Sequence, residues 1–344
     1  MSTGPGDLVI SDLDPFDEAE FDEFHAVFDA GQRFGREETA TPWERDEMRA
    51  AMQEEATRRF RHGICGRVDG RIVGTGTVEG SLRDNLDLGE LQVNVLPEER
   101  RRGYGSLLLA RCEEVARERG RSTVLAMCDW PFAGHPEGDG DAGVEFGRAH
   151  GYRMALVEIQ RRLELPVEEE TLDRLAAKAA THHAGYSLRS WSGPVPEELL
   201  QGWAEVTSAL MTEAPMGEID REPETPDPAV VREAEALAFK QGRQLYATAA
   251  LDPDGTVVAY TNFGVTGEGS PRAYQWGTLV RPEHRGHRLG LAVKVANLRQ
   301  LQQARPDLGQ VVTWNAEVNT HMIGVNEEMG FVPVERSGEI QKKL

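Results

Sequence analysis

The chain has 344 residues but only three cysteines, Cys65, Cys112 and Cys128. They are odd in number, widely spaced and set among apolar or strand-like neighbours. They therefore read as buried free thiols in a reducing compartment rather than as a disulfide framework. No window approaches 18 uninterrupted apolar residues, and Met1 to Ile10 lacks a basic segment followed by an apolar stretch. Neither a membrane span nor a secretory leader is expected, and the reading is a cytoplasmic protein. Positive charge is scarce: 38 Lys and Arg stand against 58 Asp and Glu, a formal net charge of -20. The acidic residues are scattered along the whole chain, so the surface repels a polyanion at long range and nucleic-acid binding is disfavoured. The same charge suits cationic amine substrates, or serves solubility alone. No lysine precedes Lys178, a bias of composition from which no function follows. Metal ligation lacks its usual spacing, because His284-x-x-His287 and His182-His183 are the only close histidine pairs and neither has companion Cys or Asp ligands. Gly74-Thr-Gly76 lacks the helix and third glycine of a dinucleotide fingerprint, which excludes a Rossmann reading.

The chain does contain an internal repeat. Val95-Leu-Pro-Glu-Glu-Arg-Arg-Arg-Gly-Tyr-Gly105 lies over Val280-Arg-Pro-Glu-His-Arg-Gly-His-Arg-Leu-Gly290 without a gap. Each copy follows a β-like run (Leu88 to Val95; Ala273 to Val280) and precedes a helical pattern (Ser106 to Arg119; Leu291 to Ala304). Each then reaches another strand candidate, Thr123 to Cys128 and Val311 to Trp314, and later a Gly-aromatic pair, Gly151-Tyr152 and Gly330-Phe331. The length suits two domains with cores of their own. The expected division is an N-terminal domain over 1–165, a connecting helix or linker over 166–185 and a C-terminal domain over 186–344. Ahead of the first copy, the sequence predicts a strand at Leu8 to Leu13, helices at Phe16 to Ala30 and Trp43 to Arg61, and a hairpin turned at Asp69-Gly70. The second half repeats the order from Tyr186.

Chemistry concentrates in the repeated loop. Arg100-Arg-Arg-Gly103-Tyr-Gly105 lies between a strand and an amphipathic helix, where successive backbone N–H groups aim at one point and suit a pyrophosphate. Gly103 and Gly105 have no Cβ, so phosphate oxygens can approach, and the helix near Ser106 adds its positive dipole end. A solvated basic turn is the alternative, but cations at a helix start are disfavoured unless they answer an anion.

At these residues the sequence resembles the GCN5-related N-acetyltransferase (GNAT) superfamily, whose Arg/Gln-x-x-Gly-x-Gly/Ala segment binds the pyrophosphate of acetyl-CoA. Arg100, Gly103 and Gly105 match all three positions. In layout the chain is similar to tandem members of the mycothiol-synthase type. The resemblance implies a mixed α/β fold of two tandem domains. Each is a mostly antiparallel sheet flanked by helices, in which parallel strands four and five splay apart after a bulge. It assigns the cofactor to Arg100, Arg101, Arg102, Gly103, Tyr104, Gly105 and Ser106, with Val93 and Val95 of strand four beside the pantetheine arm. In the second copy Val280, Arg285, Gly286, His287 and Gly290 correspond more weakly, because Arg288 occupies the position of the first glycine. Asn319 there matches an asparagine that often contacts cofactor. Glu90 falls near a strand-four base used by some members, one residue out of phase. The tyrosine that many members place four residues before the Gly-Phe pair is replaced by Gly147 and Asn326. The expected function is direct N-acetylation of a small-molecule primary amine by acetyl-CoA, held mainly by the N-terminal domain, with no metal. A CoA-binding regulatory pseudoenzyme and an enzyme whose working copy is C-terminal are the alternatives.

Overall fold

The computed structural model describes residues 5–54, 57–219, 221–267 and 271–344. In chain order the first half holds β1 (Val9–Asp12), α1 (Glu18–Arg33), α2 (Arg45–Met52), β2 (Arg59–Val68), β3 (Arg71–Ser81), β4 (Leu88–Val95), α3 (Tyr104–Glu118), β5 (Thr123–Pro131), α4 (Ala142–Ala149) and β6 (Arg153–Glu164). The second half holds α5 (Glu169–Ala180), β7 (Ser187–Ser192), α6 (Leu200–Ser208), α7 (Leu210–Glu213), α8 (Pro228–Lys240), β8 (Gln244–Leu251), β9 (Val257–Val265), β10 (Arg272–Val280), α9 (Leu289–Ala304), β11 (Gln310–Ala316), α10 (Thr320–Met329) and β12 (Val332–Lys343). Two compact units result. One comprises 1–157, 217–219 and 335–344; the other comprises 158–216 and 220–334. The last ten residues, which a single cut at residue 186 gives to the second unit, therefore belong to the first.

In the first unit β1, β2, β3 and β4 pair antiparallel in that order, β4 pairs parallel with β5, and residues 335–343 of β12 pair antiparallel with β5. Alternation along the strands assigns the two faces. Leu91 of β4 and Val124 of β5 pack with Leu108, Cys112 and Val115 of α3, and Ile340 of β12 joins them. Phe21, Phe24 and Phe28 of α1 and Met48 of α2 cover the opposite face. Asp69 and Gly70 turn the β2–β3 hairpin with positive φ at both residues, as the two-residue connection requires. The expected helix over Trp43 to Arg61 is shorter, ending at Met52, and residues 55–56 lie outside the described residues. From Arg59 the chain pairs with β3, Arg59 against Ser81, so sheet hydrogen bonds override the helical pattern.

The second unit repeats the arrangement. β7, β8, β9 and β10 run antiparallel, β10 and β11 parallel, and residues 158–164 of β6 close the sheet against β11. Helix α5 packs its Leu172, Leu175 and Ala179 face into this unit's core with Leu298 and Leu301 of α9.

Ile340 supports the first unit from a distant part of the sequence, since its Cδ1 packs so closely on Gly147 that a Cβ there would collide with it. Ile340→Ala should destabilise the first unit by about 2–4 kcal/mol in urea unfolding. A chain ending at residue 334 should lose that unit's cooperative transition; an unchanged transition in the shortened chain would contradict this assembly.

Candidate active site

The parallel pair of β4 and β5 is short. Leu88 to Leu91 register with Thr123 to Ala126, and beyond them the strands part while β4 remains paired to β3 as far as Val95. Unlike the expected bulge, β4 keeps a regular register against β3. In the second unit the irregularity is present, between Gln275 and Thr278 of β10. Val93 and Val95 turn their side chains toward the α3 core. Asn94 faces α1, where its Oδ1 accepts from Gln32 Nε2 at 2.9 Å.

Beyond Val95 a single turn, Pro97–Glu99, leads into the arginine-glycine loop. Arg100 is extended (φ -66°, ψ 162°), Arg101 is left-handed at φ 65° and Gly103 at φ 86°. Helix α3 begins on Gly103 without a side-chain cap, whereas Asp17, Asp141 and Asp227 cap α1, α4 and α8. Its first-turn amides are thus left for a ligand or water. The second loop has the same backbone: Arg285 at φ -67°, ψ 161°, Gly286 at φ 86° and Arg288 at φ 53°. Helix α9 likewise starts uncapped on Arg288. The left-handed positions coincide, but the glycine sits at the second one in the first copy and at the first one in the second.

The side chains divide into those that build the loop and those that face out. Arg100 turns inward, its Nε donating to Val95 O at 3.2 Å and its Nη2 to Gly31 O at 3.3 Å, above the Phe34 ring. Burial lowers its pKa. Arg285 repeats the brace, with Nε donating to Val280 O at 3.4 Å and Nη2 to Glu213 at 2.8 Å. Arg101 and Gly103 are exposed, and Arg102 pairs with Glu99 at 3.0 Å. Tyr104 is buried, its hydroxyl without a partner among the described residues, so only its backbone belongs to the loop. Gly105 packs beside Phe146. Ser106 Oγ lies 2.9 Å from Nε2 of His150, whose Nδ1 lies 2.8 Å from Phe146 O. A carbonyl only accepts, so Nδ1 carries the proton and Nε2 accepts from Ser106. In the second unit His287 bonds His182 O, Gly290 is buried near Val280, and Asn319 caps α10 by accepting from Met322 N at 3.2 Å. Asn319's carbonyl oxygen is therefore engaged by its own helix.

Glu90 alternates with Leu91 and Val93 and so faces away from α3, and it registers with Leu125, below the point where the strands part. It pairs with Arg59 at 2.9 Å and stands opposite Glu79. Burial, and then the Glu90 charge, raise the Glu79 pKa against the pull of Arg59 and Arg61.

Sequence reasoning missed a second charged group on the same face. Arg36, just after α1, donates from Nε and Nη2 to both carboxylate oxygens of Glu335 at 2.7 and 2.8 Å, and Nη2 also reaches Asp129 Oδ2 at 3.0 Å. Thr39 Oγ1 donates to Glu335 at 2.9 Å, and Ser337 Oγ donates to Asp129. No local signal marks these residues, since Arg36 and Glu335 are 299 positions apart.

Residues 25–129 match the family profile described as the acetyltransferase (GNAT) family. The mycothiol acetyltransferase of Geodermatophilus obscurus is 28% identical over 294 residues, covering 81% of this chain and 84% of that protein. A tandem GNAT protein from the clavulanic acid biosynthesis pathway superposes with a TM-score of 0.78 at 26% identity, over 98% of each chain. A GCN5-related N-acetyltransferase from Sphaerobacter thermophilus shares the fold, with a TM-score of 0.66 at 15% identity over 99% of this chain and 97% of that one.

The glycine exchange between the loops has an energetic consequence. A non-glycine residue in the left-handed region costs about 1 kcal/mol relative to glycine. Arg288→Gly should therefore leave stability to chemical denaturation unchanged or higher, while Gly103→Ala should lower it by about 1 kcal/mol. The reverse ordering would show that the loops differ in backbone.

Proposed function

We propose that this chain, which belongs to the GNAT acetyltransferases and carries two such domains in tandem, moves an acetyl group from acetyl-CoA directly to a primary amine of a small molecule. The acceptor class rests on the chain's net charge of -20 as well as on the family. The observation that carries the donor assignment is the left-handed pair at Arg101 and Gly103 opening an uncapped α3 beside the parting of β4 and β5. This arrangement fits a pyrophosphate. Arg101, Gly103 and the first-turn amides of Tyr104, Gly105 and Ser106 would take its oxygens, with the exposed guanidinium of Arg101 supplying charge. Arg102 adds a second cation at the loop while it holds Glu99. Arg100 holds the loop's shape from beneath. Val93 and Val95 lie on the strand whose free edge borders the opening, where backbone groups can bind an amide-containing arm. When bound, acetyl-CoA supplies an electrophilic thioester carbonyl.

The protein's own groups then have to remove a proton, because an alkylammonium with a pKa near 10.4 is only about 0.04% neutral at pH 7. Glu90 and Glu79 stand on the α1 face, but Glu90 is paired with Arg59 and Glu79 with Arg59 and Arg61, so the two carboxylates are already balanced by two arginines. A covalent acyl-cysteine route has no candidate nucleophile. Burial pushes the thiols of Cys65, Cys112 and Cys128 up to about 12, so none is a thiolate near neutral pH. The second unit supports an alternative in which it also binds cofactor, because its loop has the same backbone. There Val280, Gly286, His287, Arg288 and Gly290 would line a weaker site, with Arg285 tied to Glu213.

Gly105→Glu separates binding from folding. An acidic side chain in the first turn of α3 favours the helix dipole but sets a negative charge where the phosphates belong. Calorimetric affinity for acetyl-CoA should fall by roughly tenfold or more, about 1.4 kcal/mol, in variant protein that circular dichroism shows to be folded, since the new side chain starts beside Phe146 and Val95. Unchanged affinity in the folded variant would contradict the assignment.

A further inference from the structure

We propose that Asp129 is the group that takes the proton from the acceptor amine in the acetyl transfer, with Arg36 and Ser337 fixing its carboxylate; this rests on the function proposed above. Asp129 lies three residues beyond Ala126, the last residue of β5 in register with β4. Had the two strands stayed together, Asp129 would stand against Asn94 of β4; because they part, the two flank the opening on its α1 face. Alternation fixes that facing. Val124, Ala126 and Cys128 turn toward α3, so Met127 and Asp129 turn to the other side, where Met127 is left 55% exposed. The nest at the start of α3 lies on the side of the sheet opposite Asp129, so an amine approaching the opening from the α1 side would meet Asp129.

The groups around Asp129 hold it as a base rather than neutralising it. Arg36 is the nearest cation, but both of its forked nitrogens already serve Glu335, so one guanidinium stands between two carboxylates. Ser337, the direct cross-strand partner of Asp129 on β12, donates to Oδ1, while Arg36 approaches Oδ2. The charged groups that act on Asp129 are Arg36, Glu335 and Asp141. Burial, then the two neighbouring carboxylates, raise its pKa, against Arg36 and Ser337, which lower it. A carboxylate lifted toward neutrality is a better proton acceptor than an ordinary surface aspartate. Glu90, by contrast, is paired directly with Arg59 and sits below the opening.

The ammonium gives one proton to the Asp129 carboxylate, and the freed nitrogen lone pair forms the C–N bond to the acetyl carbonyl carbon. The electron pair of the C–S bond leaves with sulfur. The second proton lost from nitrogen as the amide forms goes to the thiolate, giving free CoA thiol, and the carboxylic acid of Asp129 returns its proton to water.

The test follows thiol release from acetyl-CoA by the full-length chain with a panel of primary alkylamines across pH, beside calorimetric acetyl-CoA binding. Wild-type kcat/KM should fall on the acid side with a midpoint above the ordinary aspartate value of about 3.9. Asp129→Asn keeps an oxygen for Ser337; it should retain acetyl-CoA affinity, lose about 10²- to 10⁴-fold in kcat and lose that acid limb, and Asp129→Glu should restore part of both. Ser337→Ala removes a bond to the charged form and should move the limb to higher pH. Wild-type rate and limb in Asp129→Asn, or loss of the limb in Glu90→Gln with Asp129→Asn unaffected, would overturn the assignment while leaving the function intact. A wild-type chain that neither binds acetyl-CoA nor releases thiol would overturn the function, and the role of Asp129 with it.

Discussion

The site of the first unit depends on β4 and β5 sharing only four residue pairs, because a longer parallel ladder would close the opening that the proposed donor and acceptor need. The strands are held on their outer edges instead. Glu79 to Gly74 of β3 pair along β4 to its end at Val95, and β12 pairs along β5 as far as Pro131. Strong pairing outside and none inside leaves backbone groups of β4 beyond Leu91 facing a gap rather than a neighbour. The loop from Arg100 to Ser106 then lies at the end of that gap, because it continues β4 directly. Arg100 ties the loop back to Val95 and Gly31, so the left-handed turns at Arg101 and Gly103 are held from below.

Comparison of the two loops separates the parts that define the shape from those that tune it. Position by position, Arg100 and Arg285 have the same backbone angles within a degree and make the same bond to the preceding strand end. Glycine is needed less than its spacing in sequence implies, since each loop places an arginine in one of its two left-handed positions. The Arg288 substitution therefore leaves the second nest's backbone in place. What differs is the side-chain setting: Arg285 reaches Glu213, whereas the equivalent Arg100 reaches a helix carbonyl and lies over Phe34.

The loop was legible in the sequence because its signals are local. A strand, a Pro-containing turn, arginines and glycines fall within eleven residues and recur once. The hairpin at Asp69-Gly70 and most strand limits are local in the same way. Features that depend on residues far apart were not legible. The length of α2 is cut by pairing of Arg59 with Ser81; the strand beside β5 comes from the end of the chain; and Arg36, Asp129 and Glu335 meet only after folding. Side-chain direction was the other blind spot. Tyr104 and Arg100 lie in the motif yet turn into the protein, and the carbonyl of Asn319 caps its own helix.

The central claim, that the nest at the start of α3 holds the donor's phosphates, can be read amide by amide by hydrogen–deuterium exchange of the full chain with and without acetyl-CoA. The account predicts that the amides of Arg101 to Ser106 gain protection on adding acetyl-CoA, with weaker or no gain at Gly286 to Leu291. Protection confined to the second loop, or absent from both while acetyl-CoA is bound, would contradict it.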